Sequence, residues 1–192
     1  MRPLRFLAVF TLCVACLVPA AARAQTNGPG DIWISAGAGG GWSRVACAIC
    51  RVQRNLGPTA YLRFGANVRP GLLLGAEGNV WTRVPGEDER EWVGAFSAVG
   101  YLYPRPNGAL YVKGGLGYLT YRSSDEDDDL TMGSVGVVLG AGYEFRVGSS
   151  LLLTNYVNLH ASSFGSLKSG DTEVIEDVSV TLLQLGIGIT RR

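Results

Sequence analysis

The stretch over residues 59–83, TAYLRFGANVRPGLLLGAEGNVWTR, is compatible with few folds. Ala60, Leu62, Phe64, Ala66 and Val68 take every second position. After Arg69-Pro70-Gly71 the alternation resumes at Leu72, Leu74, Ala76, Gly78 and Val80. A period of two marks a strand, and two such runs about a Pro-Gly turn mark a hairpin. The intervening positions carry Tyr61, Arg63, Gly65, Asn67, Glu77, Asn79 and Trp81. Pairing Val68 with Leu72 across a three-residue turn sets Arg63 opposite Glu77 on the polar face. A two-residue turn would bring polar against apolar faces, so the register is strongly specified. Each strand is about ten residues, the length that crosses a bilayer at a tilt. One face is apolar and the other charge-paired, the pattern of a wall between lipid and a polar lumen.

The front of the chain gives the compartment. Residues 1–24 read as a secretory leader, with Arg2 and Arg5 ahead of an apolar stretch at 6–18 and Ala22-Arg23-Ala24 as the cleavage site. The apolar stretch is too short for a spanning helix. Cleavage after Ala24 removes Arg2, Arg5 and Arg23 from the 17 basic residues, leaving 14 against 16 acidic ones and a net charge of −2. No basic patch remains for nucleic acid. Residues 25–192 suit one domain and hold all 27 glycines. With no apolar run long enough for a helix, strands closed on themselves are the way across a membrane.

Taken in order, the mature chain predicts strands at 32–42, the two of the hairpin, 91–103, 109–122, 130–146, 150–160 and 178–190. The fold class is all-β: an eight-stranded antiparallel up-and-down transmembrane barrel. Connections alternate short and long, as periplasmic turns and external loops do. Short ones fall at 69–71, 104–108 and 147–149, and long ones at 45–58, 84–90, 123–129 and 161–177. Trp42, Trp81, Trp92 and Tyr121 lie at strand ends on the long side, and Trp33, Tyr103, Tyr111 and Phe145 near the other, which predicts two aromatic girdles. Pairing Tyr103 with Ala109 sets Tyr111 opposite Tyr101. Pairing Arg146 with Ser150 turns Glu144, Thr154, Tyr156, Asn158 and His160 inward, with Gly140 facing Tyr156. Asn155 then faces lipid unless a bulge intervenes. The last strand gains a lipid face of Leu183, Leu185, Ile187 and Ile189 only with a phase change near Leu182.

Four charges point inward: Arg63, Glu77, Lys113 and Glu144. Balanced signs in a poorly solvated interior form a salt-bridge plug, since unpaired charge there is costly. The alternative role is a gate or ion path. Eight strands enclose a space that side chains roughly fill. Cys47 and Cys50, in a loop of an oxidising compartment, predict a local disulfide. Those two thiols and His160 are too few for a zinc site, and no metal, cofactor or catalytic site is expected. The acidic runs Glu87-Asp88-Glu89 and 125–129 fit no calcium-loop spacing and read as solvated. His160-Ala161-Ser162 is the one hydrolytic hint, with Glu173 or Glu176 as a conceivable acid. It resembles the His-x-Ser-Asn of outer-membrane lipid A deacylases, although Ser163 stands where Asn would and His160 points into the lumen.

The leader, YLRFGANVRPGLLLGAEGNVW, LYVKGGLGYLTY, GAGYEFRVG and LLQLGIGIT together resemble the small outer-membrane barrels related to OmpA and OmpX, over nearly all of the mature chain. The resemblance implies residence in a bacterial outer membrane, contact with its lipids, and insertion by the outer-membrane assembly machinery. It further implies a structural, adhesive or loop-mediated binding role; the chain itself is expected to be a monomer with no enzymatic activity. Such chains commonly end in an aromatic residue, whereas Thr190-Arg191-Arg192 stands here.

Overall fold

The computed structural model describes residues 30–47, 54–86, 89–105, 108–125, 129–170 and 172–192. The leader and its cleavage site fall outside them, as does Cys50 of the expected disulfide. Among the described residues nine strands form: β1 (Ile32–Ala46), β2 (Arg54–Arg69), β3 (Leu72–Arg83), β4 (Arg90–Leu102), β5 (Leu110–Ser124), β6 (Asp129–Arg146), β7 (Leu151–Ser162), β8 (Gly165–Ser169) and β9 (Thr172–Arg191). Each pairs antiparallel with its neighbour, and β9 returns to pair with β1 from Ile34↔Arg191 to Ala46↔Ser179, which closes the barrel.

The wall still has eight staves, because β8 continues β7. Both lie between β6 and β9, separated by an irregularity at residues 163–164. The segment expected as a long loop at 161–177 is thus a hairpin that raises the wall on the loop side. Its polar alternation is weak, so the sequence pattern gave no strand signal there. Asp177, at φ 55°, adopts the left-handed conformation that Asp tolerates better than most residues, and the inward phase changes there. No change occurs near Leu182, which is fully buried in the lumen with Val178 and Val180, while Leu183, Leu185, Ile187 and Ile189 face outward.

The hairpin of β2 and β3 keeps Arg63 opposite Glu77, but the turn differs from the expected one. Arg69 pairs with Leu72, and Val68 is bulged. Pro70 and Gly71 make a two-residue turn in which Gly71 takes φ 82°, a conformation that favours glycine at that position. The bulge absorbs the odd residue and so preserves the faces. Two other registers are offset by two residues from expectation: Tyr101 pairs with Lys113, and Gly142, not Gly140, faces Tyr156. An offset of two leaves every side chain on its expected face. β7 has no bulge, so Asn155 stays outward, paired with Tyr143 and Ile187.

The outside is apolar and the inside polar at mid-height. Leu62 is 51% exposed and Arg63 2%. Following paired residues round from Ile34 through Phe64, Ala76, Ala98, Leu116, Val137, Ala161 and Thr181 returns to β1 at Arg44, ten residues along. A displacement that large requires strongly tilted strands. The girdles are thinner than expected. Trp42 and Trp92 face outward near the loops, and Tyr143 and Phe145, 4.8 Å apart, do so near the turns. Trp33, Trp81, Tyr103 and Tyr111 are instead buried inside, and Tyr121 packs against an inner cluster.

Candidate functional site: the layered lumen

Three layers fill the lumen. At the turn end Trp33, Leu73, Tyr101, Tyr103 and Tyr111 pack together, with Trp33 edge-on to Tyr101 at 5.0 Å. At the loop end Trp81, Val93, Met132, Leu167, Val178, Val180 and Leu182 form an apolar layer. The Trp81 indole donates to the Gly41 carbonyl at 3.0 Å. This layer is why β9 is apolar on both faces: one meets lipid, the other meets this cluster.

Between them lies the charged layer. Arg63 on β2 and Glu77 on β3 are directly paired residues, and Lys113 approaches from β5. Glu77 Oε2 forms an ion pair with Arg63 Nε at 3.1 Å and accepts from Lys113 Nζ at 2.5 Å and the Tyr101 hydroxyl at 3.0 Å. Asn79 donates to the other oxygen at 3.2 Å. Glu77 is fully buried, so this carboxylate, with three hydrogen-bond donors and the Arg63 charge around it, is the hub of the network. Arg63 lies over the Tyr61 ring, 3.7 Å from its centroid, and donates to the Tyr111 hydroxyl at 3.3 Å. The ring's negative face offsets part of the charge that a single carboxylate shared by two cations leaves over. The wall makes room through glycine: a Cβ on Gly140 would stand 2.8 Å from the Lys113 side chain, too close for both.

Glu144 was expected in the same network but forms its own. It accepts from Tyr103 at 3.1 Å and pairs with Arg192 at 2.9 Å. Tyr111, whose ring lies 5.6 Å from that of Tyr103, links the two groups. Arg192 also contacts the Tyr103 hydroxyl and lies over its ring at 4.6 Å. Sequence reasoning missed Arg192, yet the signal was present. Even-numbered residues of β9 point inward from Val178 to Thr190, and Arg192 continues that series. Among the described residues the lumen thus joins three cations to two carboxylates. A cavity lined by Arg63, Tyr101, Tyr111, Glu144 and Arg192 holds about 10 Å³, room for about one water.

The hydrolytic hint does not assemble. His160 is fully buried, with Nε2 3.3 Å from Gln184 Oε1, while the Ser162 hydroxyl accepts the Val180 amide at 2.8 Å. Glu173 pairs with Lys168 at 3.6 Å on the extended hairpin. No group of three or more metal-ligating side chains occurs among the described residues. At the loop end, Ser124 and Arg122 hold the exposed Asp129 carboxyl below its ordinary pKa.

No protein-family model matches the chain, and no curated protein does. Solved structures do. Ail, the attachment invasion locus protein of Yersinia pestis, superposes with a TM-score of 0.54 at 16% identity, over 85% of this chain and 99% of that one. Neisserial surface protein A gives 0.56 at 14%, over 85% and 98%. The outer-membrane protein AlkL, solved in lipid bilayers, gives 0.53 at 12%, over 91% and 96%. At such identities the shared property is architecture, and with a closed eight-staved wall and an apolar exterior, this chain has the OmpA/OmpX-like fold of the small outer-membrane β-barrels.

Proposed function

We propose that the protein is a bacterial outer-membrane barrel that conducts no solute and serves as a monomeric anchor presenting its loop-side surface to a binding partner. The observation that carries this is the Glu77 hub: two cations, a tyrosine and an asparagine from the consecutive strands β2 to β5 converge on one buried carboxylate in the lumen. The apolar layer above it adds a second obstruction. Neighbours of this architecture include a protein named for attachment and invasion, which accords with a role at the loop surface. A disulfide between Cys47 and Cys50 would tighten the first loop.

Purified protein in planar lipid bilayers tests the closed lumen. The expected record is flat at moderate voltage. A steady open conductance in the wild type would contradict the plug and favour the ion-path role for the same residues.

A further inference from the structure

We propose that the outer wall carries a binding site for one lipid of the surrounding bilayer, a long-chain amphiphile whose headgroup pairs a phosphate with an ammonium. This rests on the membrane-spanning reading above. Two hollows lie side by side on the exterior. One, of about 670 Å³, is floored by Ala36, Ala60 and Gly78 and rimmed by Leu62, Trp92 and Phe96. The other, of about 510 Å³, is lined by Thr131, Ser166, Lys168 and Glu173. Tyr118 and Thr120 line both, so the two form one trough.

Strand register gives the trough its direction. Ala38, Ala60, Val80, Gly94, Thr120 and Gly133 are successive partners across β1 to β6, and Thr131, two residues nearer the loops on β6, leads on through its partner Lys168 on β8 to Glu173 on β9. Paired residues climb towards the loops, since one circuit leads from Ile34 up to Arg44. The trough therefore starts within the apolar belt. It ends where outward residues turn polar, at Thr120 and Arg122 on β5 and Thr131 and Asp129 on β6.

That course selects the occupant. Hydrocarbon alone bathes the lower part, and the upper part lies at headgroup depth. A molecule filling both is a lipid, chain below and headgroup above. Lys168 Nζ stands 3.6 Å from Glu173 Oε1 and both side chains are about half exposed, 47% and 51%, so each charge can take a headgroup partner. A phosphate on Lys168 and an ammonium on Glu173 satisfy both; a headgroup with only a phosphate meets an unanswered carboxylate.

The test uses the full-length protein in phosphatidylglycerol vesicles containing a minor fraction of phosphatidylethanolamine with a photoactivatable group in its acyl chain. Adducts are mapped by mass spectrometry. Labelling should concentrate on the outer faces of β2 and β3, at Ala60, Gly78 and Val80. Gly78→Leu should abolish it, and this variant leaves the wall intact because an added Cβ there meets nothing within 4 Å. Lys168→Glu should lower it about tenfold by setting a carboxylate against the phosphate. Equal labelling at Val137 and Val157, equal capture of a photoactivatable phosphatidylglycerol, or crosslinking to a second copy of the chain through Ala60 and Gly78 would each overturn the site. No labelling anywhere, including Val137 and Val157, would overturn the membrane reading beneath it.

Discussion

Glu77→Ala is expected to destabilise the barrel by about 3–5 kcal/mol, the usual cost of removing one partner from a buried ion pair. Two cations depend on this carboxylate, Arg63 at 3.1 Å and Lys113 at 2.5 Å, and both are almost wholly buried. Neither pairs with Glu144, which is engaged by Arg192 and Tyr103. The loss should appear as a lower midpoint in urea unfolding in vesicles, read by tryptophan fluorescence and by heat-modifiable gel mobility. Adding Lys113→Met to Glu77→Ala should recover part of the loss, because the double variant leaves one unpaired cation, not two. Arg63 then keeps the Tyr61 ring and the Tyr111 hydroxyl. A Glu77→Ala protein as stable as wild type would mean the charges are solvated, and the plug would be an open aqueous path.

Trp81→Ala is the second large effect, about 3–5 kcal/mol from lost apolar contact and the cavity left behind. Trp81 is fully buried against Val93, Met132 and Leu182, and its indole holds the Gly41 carbonyl. Trp92→Ala, at an outward position 41% exposed, removes only part of a lipid contact and should cost clearly less. The comparison separates the observed lumen from the girdle that strand-end position suggested for both residues. Equal effects in the same urea titration would return Trp81 to the interface.

Much of the wall was legible because alternation is a local property. Arg63 against Glu77, the inward set of β7 and the lipid face of β4 all follow from a period of two. Registers that depended on turn length missed by two residues, as at Tyr101, yet the faces survived because two is the repeat of the strand. The Val68 bulge hid for a related reason: the turn chemistry of Pro70-Gly71 and the face pattern each pointed to a different count, and the fold reconciles them by leaving one residue unpaired. The aromatic residues were misassigned most, since a strand-end tryptophan can face either way and only the opposite wall decides. Trp81 has Val180 and Leu182 to meet inside, whereas Trp92 has none. The layering of the lumen was out of reach for the same reason. It arises from side chains on four or more strands meeting at one height, which tilt determines and alternation does not.

Power-saturation spectroscopy of a spin label at Leu116, in protein reconstituted into phosphatidylglycerol vesicles, tests most directly whether the apolar face meets hydrocarbon. Leu116 is 71% exposed near the middle of β5. Collisions with oxygen should be frequent and collisions with a water-soluble nickel chelate nearly absent, as for a group deep in a bilayer. Free access of the chelate to Leu116 would place that face in water and remove the basis for a membrane-spanning barrel.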